Sequence, residues 1–65
     1  MTMRVGKRIA ALREERGWTQ ARLAERAELT QGYIALIEAG KRQPTKRVLR
    51  DIARALRTTV EELEG

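Results

Sequence analysis

The sequence predicts an all-α fold, a compact bundle of five short helices. Three observations predict it. Apolar residues recur at helical spacing in separate stretches. No stretch shows the β-branched alternation of a strand. Gly17, Gly40 and Pro44 fall between the periodic stretches, where they punctuate rather than interrupt. At 65 residues the chain is expected to form one domain over 1–65. A hydrophobic fraction of 42% suits a folded core, and with Trp18 and Tyr33 as its aromatics that core is aliphatic.

The first helix is expected over 3–16. Val5, Ile9 and Leu12 repeat at i, i+4 and i+7. At about 100° per residue Arg16 falls in the same arc and Arg13 at its edge. Two arginines there need either snorkelling heads or a carboxylate partner. Gly17 stops the helix. The second helix, 20–27, has Thr19 as N-cap and a narrow face of Leu23, Ala24 and Ala27. The third, 31–38, is capped by Thr30, with Ile34 and Ile37 inward and Gln31, Gly32, Ala35 and Leu36 outward. Two short helices joined by so few residues form a helix-turn-helix unit over about 20–38. The fourth, 46–57, begins after Pro44 and Thr45. Val48, Leu49, Ile52, Ala53 and Leu56 share one arc, and Arg47, Arg50, Arg54 and Arg57 the opposite one. A last turn at 60–63 follows Thr59, and Glu62 three residues on completes a capping-box pattern.

Composition narrows the function. With no Cys and no His the chain lacks a disulfide, a Cys/His zinc site, a thiol nucleophile and the commonest acid–base side chain. No Gly-rich phosphate loop or paired carboxylates stand out. A domain this small is not expected to hold a cavity of several hundred Å³. A non-enzymatic protein with no cofactor and no metal is therefore expected. No apolar run approaches the ~18–20 residues of a membrane span, and the first residues lack a signal-peptide pattern. The cytoplasm is the expected compartment.

Charge is the informative quantity. The chain carries net +5, unevenly placed. Residues 41–57 hold seven basic side chains against one acidic (+6), and residues 58–65 hold three acidic and no basic ones (−3). A concentrated positive segment on a small domain points to a polyanion, first of all nucleic acid. Glu38 falls on the inner side of its helix with Ile34, where a lone charge is costly. Arg13 also faces inward, so an Arg13–Glu38 ion pair is expected to tie the first helix to the third.

The stretch TQARLAERAELTQGYIALIEAGKRQPT resembles the helix-turn-helix of the phage-repressor/Cro type, the XRE type. The resemblance runs from Ile9 to Leu63. It rests on Ile9, Leu12-Arg13-Glu14 before Gly17, Thr19-Gln20, Leu23-Ala24, Tyr33-Ile34, Ile37-Glu38, Gly40-Lys41-Arg42 and Pro44. It implies the five-helix lambda-repressor-like DNA-binding domain. The inward Arg–Glu pair recurs in that family at the positions of Arg13 and Glu38. The resemblance further implies a sequence-specific duplex-DNA-binding transcriptional regulator, repressor-like, acting as a homodimer on a palindromic operator. In that pattern 20–27 lies across the backbone and 31–38 enters the major groove. Two departures stand out. Glu28 occupies a turn position where the family often has Gly, and Gln31 is the one obvious polar reader.

On this resemblance Gln31, Gly32 and Leu36 are the candidate base readers. Gln31 can pair with adenine N6 and N7, and Leu36 can meet a thymine methyl. Gly32 lets the helix approach closely, or is only a helix defect. The alternatives for Leu36 are a contact with a partner protein or simple exposure. Gln20, Tyr33, Lys41, Arg42 and Lys46 are the candidate phosphate contacts, which position without reading. The first turn beginning at Gln20 favours an anion, and its side chain bonds that phosphate or braces Gln31. Tyr33 turns its hydroxyl to a phosphate or belongs to the core. The near end of the Arg47/Arg50/Arg54/Arg57 stripe can reach DNA, while its far end reads as a solvated face. Two half-sites about 34 Å apart call for a dimer. It would be weak or DNA-coupled, around the end of the fourth helix and 60–63. The competing class is a protein-interaction module on the same fold, an antitoxin or an adaptor for the transcription machinery.

Overall fold

The computed structural model describes the backbone of residues 3–65 and the side chains of residues 5–65. Five helices follow one another: α1 (Met3–Glu15), α2 (Gln20–Ala27), α3 (Gln31–Glu38), α4 (Lys46–Leu56) and α5 (Val60–Glu64). α3 lies against α1 and α2, α4 against α2, and α5 bridges α1 and α4. The accessible surface, 4330 Å², is close to the roughly 4,200 Å² expected for this mass.

Local chemistry explains where the helices begin. Thr19, Thr30, Thr45 and Thr59 all have extended backbone and precede α2 to α5. Each hydroxyl accepts from the N–H three residues on: Arg22 at 3.0 Å, Tyr33 at 3.2 Å, Val48 at 3.2 Å and Glu62 at 3.1 Å. Each satisfies one of the N–H groups that a helix start leaves without a partner.

The helix ends share one device as well. The N–H of Trp18 donates to Arg13 O, that of Leu29 to Ala24 O, that of Lys41 to Leu36 O and that of Thr58 to Ala53 O. Each bond closes a six-residue return around a left-handed residue. Gly17 (φ 71°) and Gly40 (φ 77°) fill two of these positions. Glu28 (φ 61°) and Arg57 (φ 58°) fill the other two, at a steric cost that glycine escapes. This corrects two expected boundaries. α1 stops at Glu15 because Arg16 already belongs to the turn, and α4 stops at Leu56 because Arg57 leaves the right-handed region.

The core is aliphatic. Ile9, Leu23, Ile34, Ile37, Ile52, Leu56 and Leu63 are its largest fully buried members, with Trp18, Leu29 and Tyr33 packed at its margin. Gly6, also buried, lies where α1 crosses the end of α3. A methyl group there would overlap the Ile37 carbonyl oxygen and approach the Glu38 Cα to 3.1 Å. Here a missing side chain sets the helix–helix distance. The expectation about cavities needs one correction. An open cleft of about 540 Å³ separates the C-terminal ends of α2 and α4. Mostly charged side chains line it, among them Arg26, Glu28, Asp51, Arg54 and Arg57.

Glycine at Glu28 or at Arg57 relieves the left-handed strain but adds freedom to the unfolded chain. Glu28→Gly and Arg57→Gly are each expected to stabilise the fold by about 0.5–1 kcal/mol. Thermal unfolding should show a rise of a few degrees for each. Unchanged or lower midpoints would mean that the turns hold these side chains without strain.

Candidate nucleic-acid interface

The site is best built from its anchor. Arg13, in the last turn of α1, donates from Nε to Glu38 Oε2 at 2.7 Å and from Nη2 to Glu38 Oε1 at 3.0 Å. Its remaining nitrogen, Nη1, donates to the Trp18 carbonyl at 2.7 Å. The side chains are only 11% and 6% exposed, so this bidentate pair forms largely out of water. The hydrogen bonds it donates to Glu38, with the nearby carboxylate charges of Glu38 and Glu14, raise the Arg13 pKa further above its ordinary range despite partial burial. Gln20 opens α2 and donates its amide to Glu38 Oε1 at 2.9 Å. The side chain expected to reach a phosphate or brace Gln31 is thus turned to Glu38. A half-buried amide beside a carboxylate takes the charge-assisted bond. What α2 still offers an anion is the backbone of its first turn.

With Ile34 and Ile37 buried, α3 must present its other side to solvent. Gln31, Gly32 and Leu36 are exposed there, and Ala35 is half-buried. Leu36, at 41% exposure, is the one exposed large hydrophobic residue among the described residues. A side chain at Gly32 would meet nothing within 4 Å. The face is therefore open, narrow and without a formal charge.

Cations flank this face. The Leu36 carbonyl accepts the N–H groups of Lys41 (2.9 Å) and Arg42 (3.2 Å), which folds the basic loop back onto the end of α3. The Arg42 guanidinium lies 5.5 Å above the Tyr33 ring, a cation–π contact that joins two of the candidate phosphate residues. Tyr33 is half-buried against the core. Lys46 behaves differently from its expected part. Its ammonium lies 2.9 Å from Glu64, an exposed pair that holds it only weakly. Arg47, Arg50 and Arg54 are exposed on α4 and Arg57 is exposed just after it, and Arg54 pairs with Asp51 at 2.6 Å. Trp18 covers the α1–α2 junction and carries Arg26 at 5.0 Å.

Among the features that sequence reasoning missed are the Gly6 crossing, the Gln20–Glu38 bond, the Arg13–Trp18 bond, the Arg42–Tyr33 stack, the Arg26–Trp18 stack and the Lys46–Glu64 pair. For Gly6 a signal existed, since a glycine inside a strongly periodic helix asks for a packing reason.

A family model described as helix-turn-helix matches residues 9–63. The chain belongs to the helix-turn-helix family of the phage-repressor type. This helix-turn-helix chain is 43% identical over 63 residues to the immunity repressor protein of Bacillus phage phi105, a match covering 97% of the chain but 44% of the phage protein. It spans less than half the length of that relative. It is 40% identical over 59 residues to the uncharacterized HTH-type transcriptional regulator y4dJ of Sinorhizobium fredii, covering 91% of the chain and 77% of y4dJ. Among solved structures it resembles the restriction-modification controller protein C.AhdI from Aeromonas hydrophila. The TM-score is 0.92 at 29% identity, over 95% of this chain and 94% of that one. The clp gene regulator ClgR from Corynebacterium glutamicum shares the fold, with a TM-score of 0.90 at 23% identity over 98% and 69% of the two chains.

Removing Glu38 leaves the Arg13 charge partly buried without its partner. Glu38→Ala is expected to cost about 3 kcal/mol, and the apolar pair Arg13→Met with Glu38→Leu to regain most of it. Urea unfolding of Arg13→Met, of Glu38→Leu and of the variant carrying both measures the coupling. Additive losses would mean that the two side chains act independently.

Proposed function

We propose that this helix-turn-helix chain is a sequence-specific duplex-DNA-binding regulator of transcription, repressor-like, with residues 1–65 acting as one binding unit. The observation that carries the reading is the α3 face, an uncharged, open helix surface flanked by a basic loop. Such a surface fits the major groove, which admits an α-helix and displays the base edges. Gln31, Gly32 and Leu36 meet the base edges. Gln31 pairs with an adenine, and Gly32 lets the helix sit deep. Lys41 and Arg42 take the flanking phosphates, and Tyr33 holds Arg42 in place. The backbone at the start of α2 receives a phosphate on its N–H groups, with Gln20 securing that helix end to Glu38. Lys46 reaches the duplex by giving up Glu64. In this reading Arg13 and Glu38 touch no DNA and hold α3 at its angle.

One short helix reads a few base pairs, so a homodimer on a palindromic site supplies the remaining specificity. Its surface lies around the end of α4 and α5, and it is weak or coupled to DNA. The cell interior, where the operator lies, is the matching compartment.

Selection of bound duplexes from a random pool returns the site and its symmetry. If a dimer neutralises 6–10 phosphates, affinity for that site falls by about 10³–10⁵-fold from 50 to 200 mM salt. A flat salt response in a fluorescence-anisotropy titration would refute the reading.

Gly32→Ala separates fold from function. Alanine is the better helix former and has free space, so the variant should gain about 0.5–1 kcal/mol of stability. In a groove the added methyl group pushes the helix outward, so the same variant should bind the selected site more weakly. Tighter binding that tracks the stability gain would place Gly32 outside the interface.

A further inference from the structure

We infer that the α3 face reads the pyrimidine C5 methyl group as such, so that 5-methylcytosine stands in for thymine opposite Leu36. The inference rests on the proposed major-groove reading and adds what that contact discriminates. Leu36 is the one large hydrophobic side chain left 41% exposed among the described residues. It shares its face with Gly32, one turn earlier, which adds no side chain and leaves open space. Ala35 next to it contributes only a methyl group. This part of the face holds hydrocarbon and no hydrogen-bonding side chain. Its polar neighbours on the helix stand to either side: Tyr33, three residues earlier, is half-buried beneath the Arg42 guanidinium, and Gln31 is at the first position, more than a turn away.

Chemistry then fixes what Leu36 can and cannot distinguish. In the major groove thymine shows an O4 acceptor and a C5 methyl group, whereas cytosine shows an N4 donor and no methyl group. A leucine side chain neither donates nor accepts, so it is blind to the exchange of O4 for N4. It responds to the methyl group alone, by removing apolar surface from water. Uracil keeps O4 and loses the methyl group. 5-Methylcytosine keeps the methyl group and exchanges O4 for N4. The two bases therefore separate the two terms. The Lys41 and Arg42 backbone bonds the Leu36 carbonyl, and the Arg42 guanidinium lies over the Tyr33 ring rather than being paired with a group on Leu36's own face.

The experiment uses the unaltered protein and the duplex selected from a random pool. Each thymine is replaced singly by uracil, and each cytosine and thymine singly by 5-methylcytosine, with the complementary strand adjusted. At the position opposite Leu36, uracil should weaken binding by about fourfold, the worth of one buried methyl-sized group. 5-Methylcytosine should bind about fourfold more tightly than cytosine there, since within the same pair with guanine it adds only that group. Leu36→Ala, a change at an exposed position, should bring thymine and uracil to equal affinity there, and 5-methylcytosine and cytosine likewise. Equal binding of thymine and uracil duplexes at every position overturns the inference but leaves the groove reading intact if Gln31→Ala still relaxes base preference. Loss of 5-methylcytosine binding to the level of cytosine also overturns it. A pool that returns no enriched duplex, with Leu36→Asp abolishing capture of another protein instead, overturns the inference and the groove reading together.

Discussion

One carboxylate holds the helix-turn-helix together. The connection from Glu28 to Thr30 joins α2 to α3 at one end of the unit. At the other end, the first residue of α2 and the last of α3 meet through the Gln20–Glu38 bond. The unit is thus closed at both ends, and the angle between its helices is held by a turn and by a side-chain clasp. Arg13 then fixes the clasp to α1 through two bonds, and its third nitrogen fixes the following turn at Trp18. A carboxylate at the C-terminus of α3 is disfavoured by that helix's own dipole. The Arg13 guanidinium and the nearby N-terminus of α2 reverse the sign of the local field. Glu38 therefore stays where the fold needs it only because two other elements converge on it.

Backbone conformation shares this work unevenly. The four return turns have the same hydrogen-bond pattern, yet only two use glycine. Where glycine is used, at 17 and 40, the chain changes direction before α2 and before the basic loop. Where it is not, at Glu28 and Arg57, charged side chains project into the cleft between the ends of α2 and α4. Steric strain at both positions is offset by the packing that follows each turn, Leu29 against the core after the first and α5 with its buried Leu63 after the second. Gly6 adds a constraint of another kind, since only hydrogen fits between α1 and the Ile37 carbonyl.

Most of this fold was legible because its signals are local. The threonine caps, the Ile34/Ile37 stripe and the α4 arc depend on neighbours within one or two turns, and helix period and capping chemistry report those directly. The starts of α2 and α3 follow from their threonine caps. The inward position of Arg13 and Glu38 was legible from angular counting, since a buried charge must find its opposite. The rest depends on distance in space rather than in sequence. Nothing near Gln20 says that its amide faces Glu38 18 residues away. Nothing near Tyr33 says that Arg42 folds back over its ring, because that depends on how the Gly40 turn reverses the chain. Lys46 and Glu64 meet only because α5 packs beside α4. The ends of α1 and α4 escaped because a left-handed arginine, or an arginine already in a turn, carries no mark in the sequence.

The placement of charge follows from the same geometry. α3 carries no basic side chain, and its single acid is turned inward into the clasp. Attraction to a polyanion must therefore arise beside the helix, and the proposed reading assigns it to the loop tied to the Leu36 carbonyl and to the start of α4. This separates two physical tasks. Charges on the loop act over about a Debye length and do not distinguish one base from another. In the proposed reading the uncharged face of α3 acts only in contact, where a methyl group or an amide edge either fits or does not. A lysine on that face would bind every sequence more tightly and blur the difference between them. In the proposed groove reading, glycine, alanine, leucine and one glutamine there let contact energy change with the base while the long-range field stays constant. That reading gives the clasp at Glu38 its importance, because a face that reads by fit alone requires a helix that does not swing.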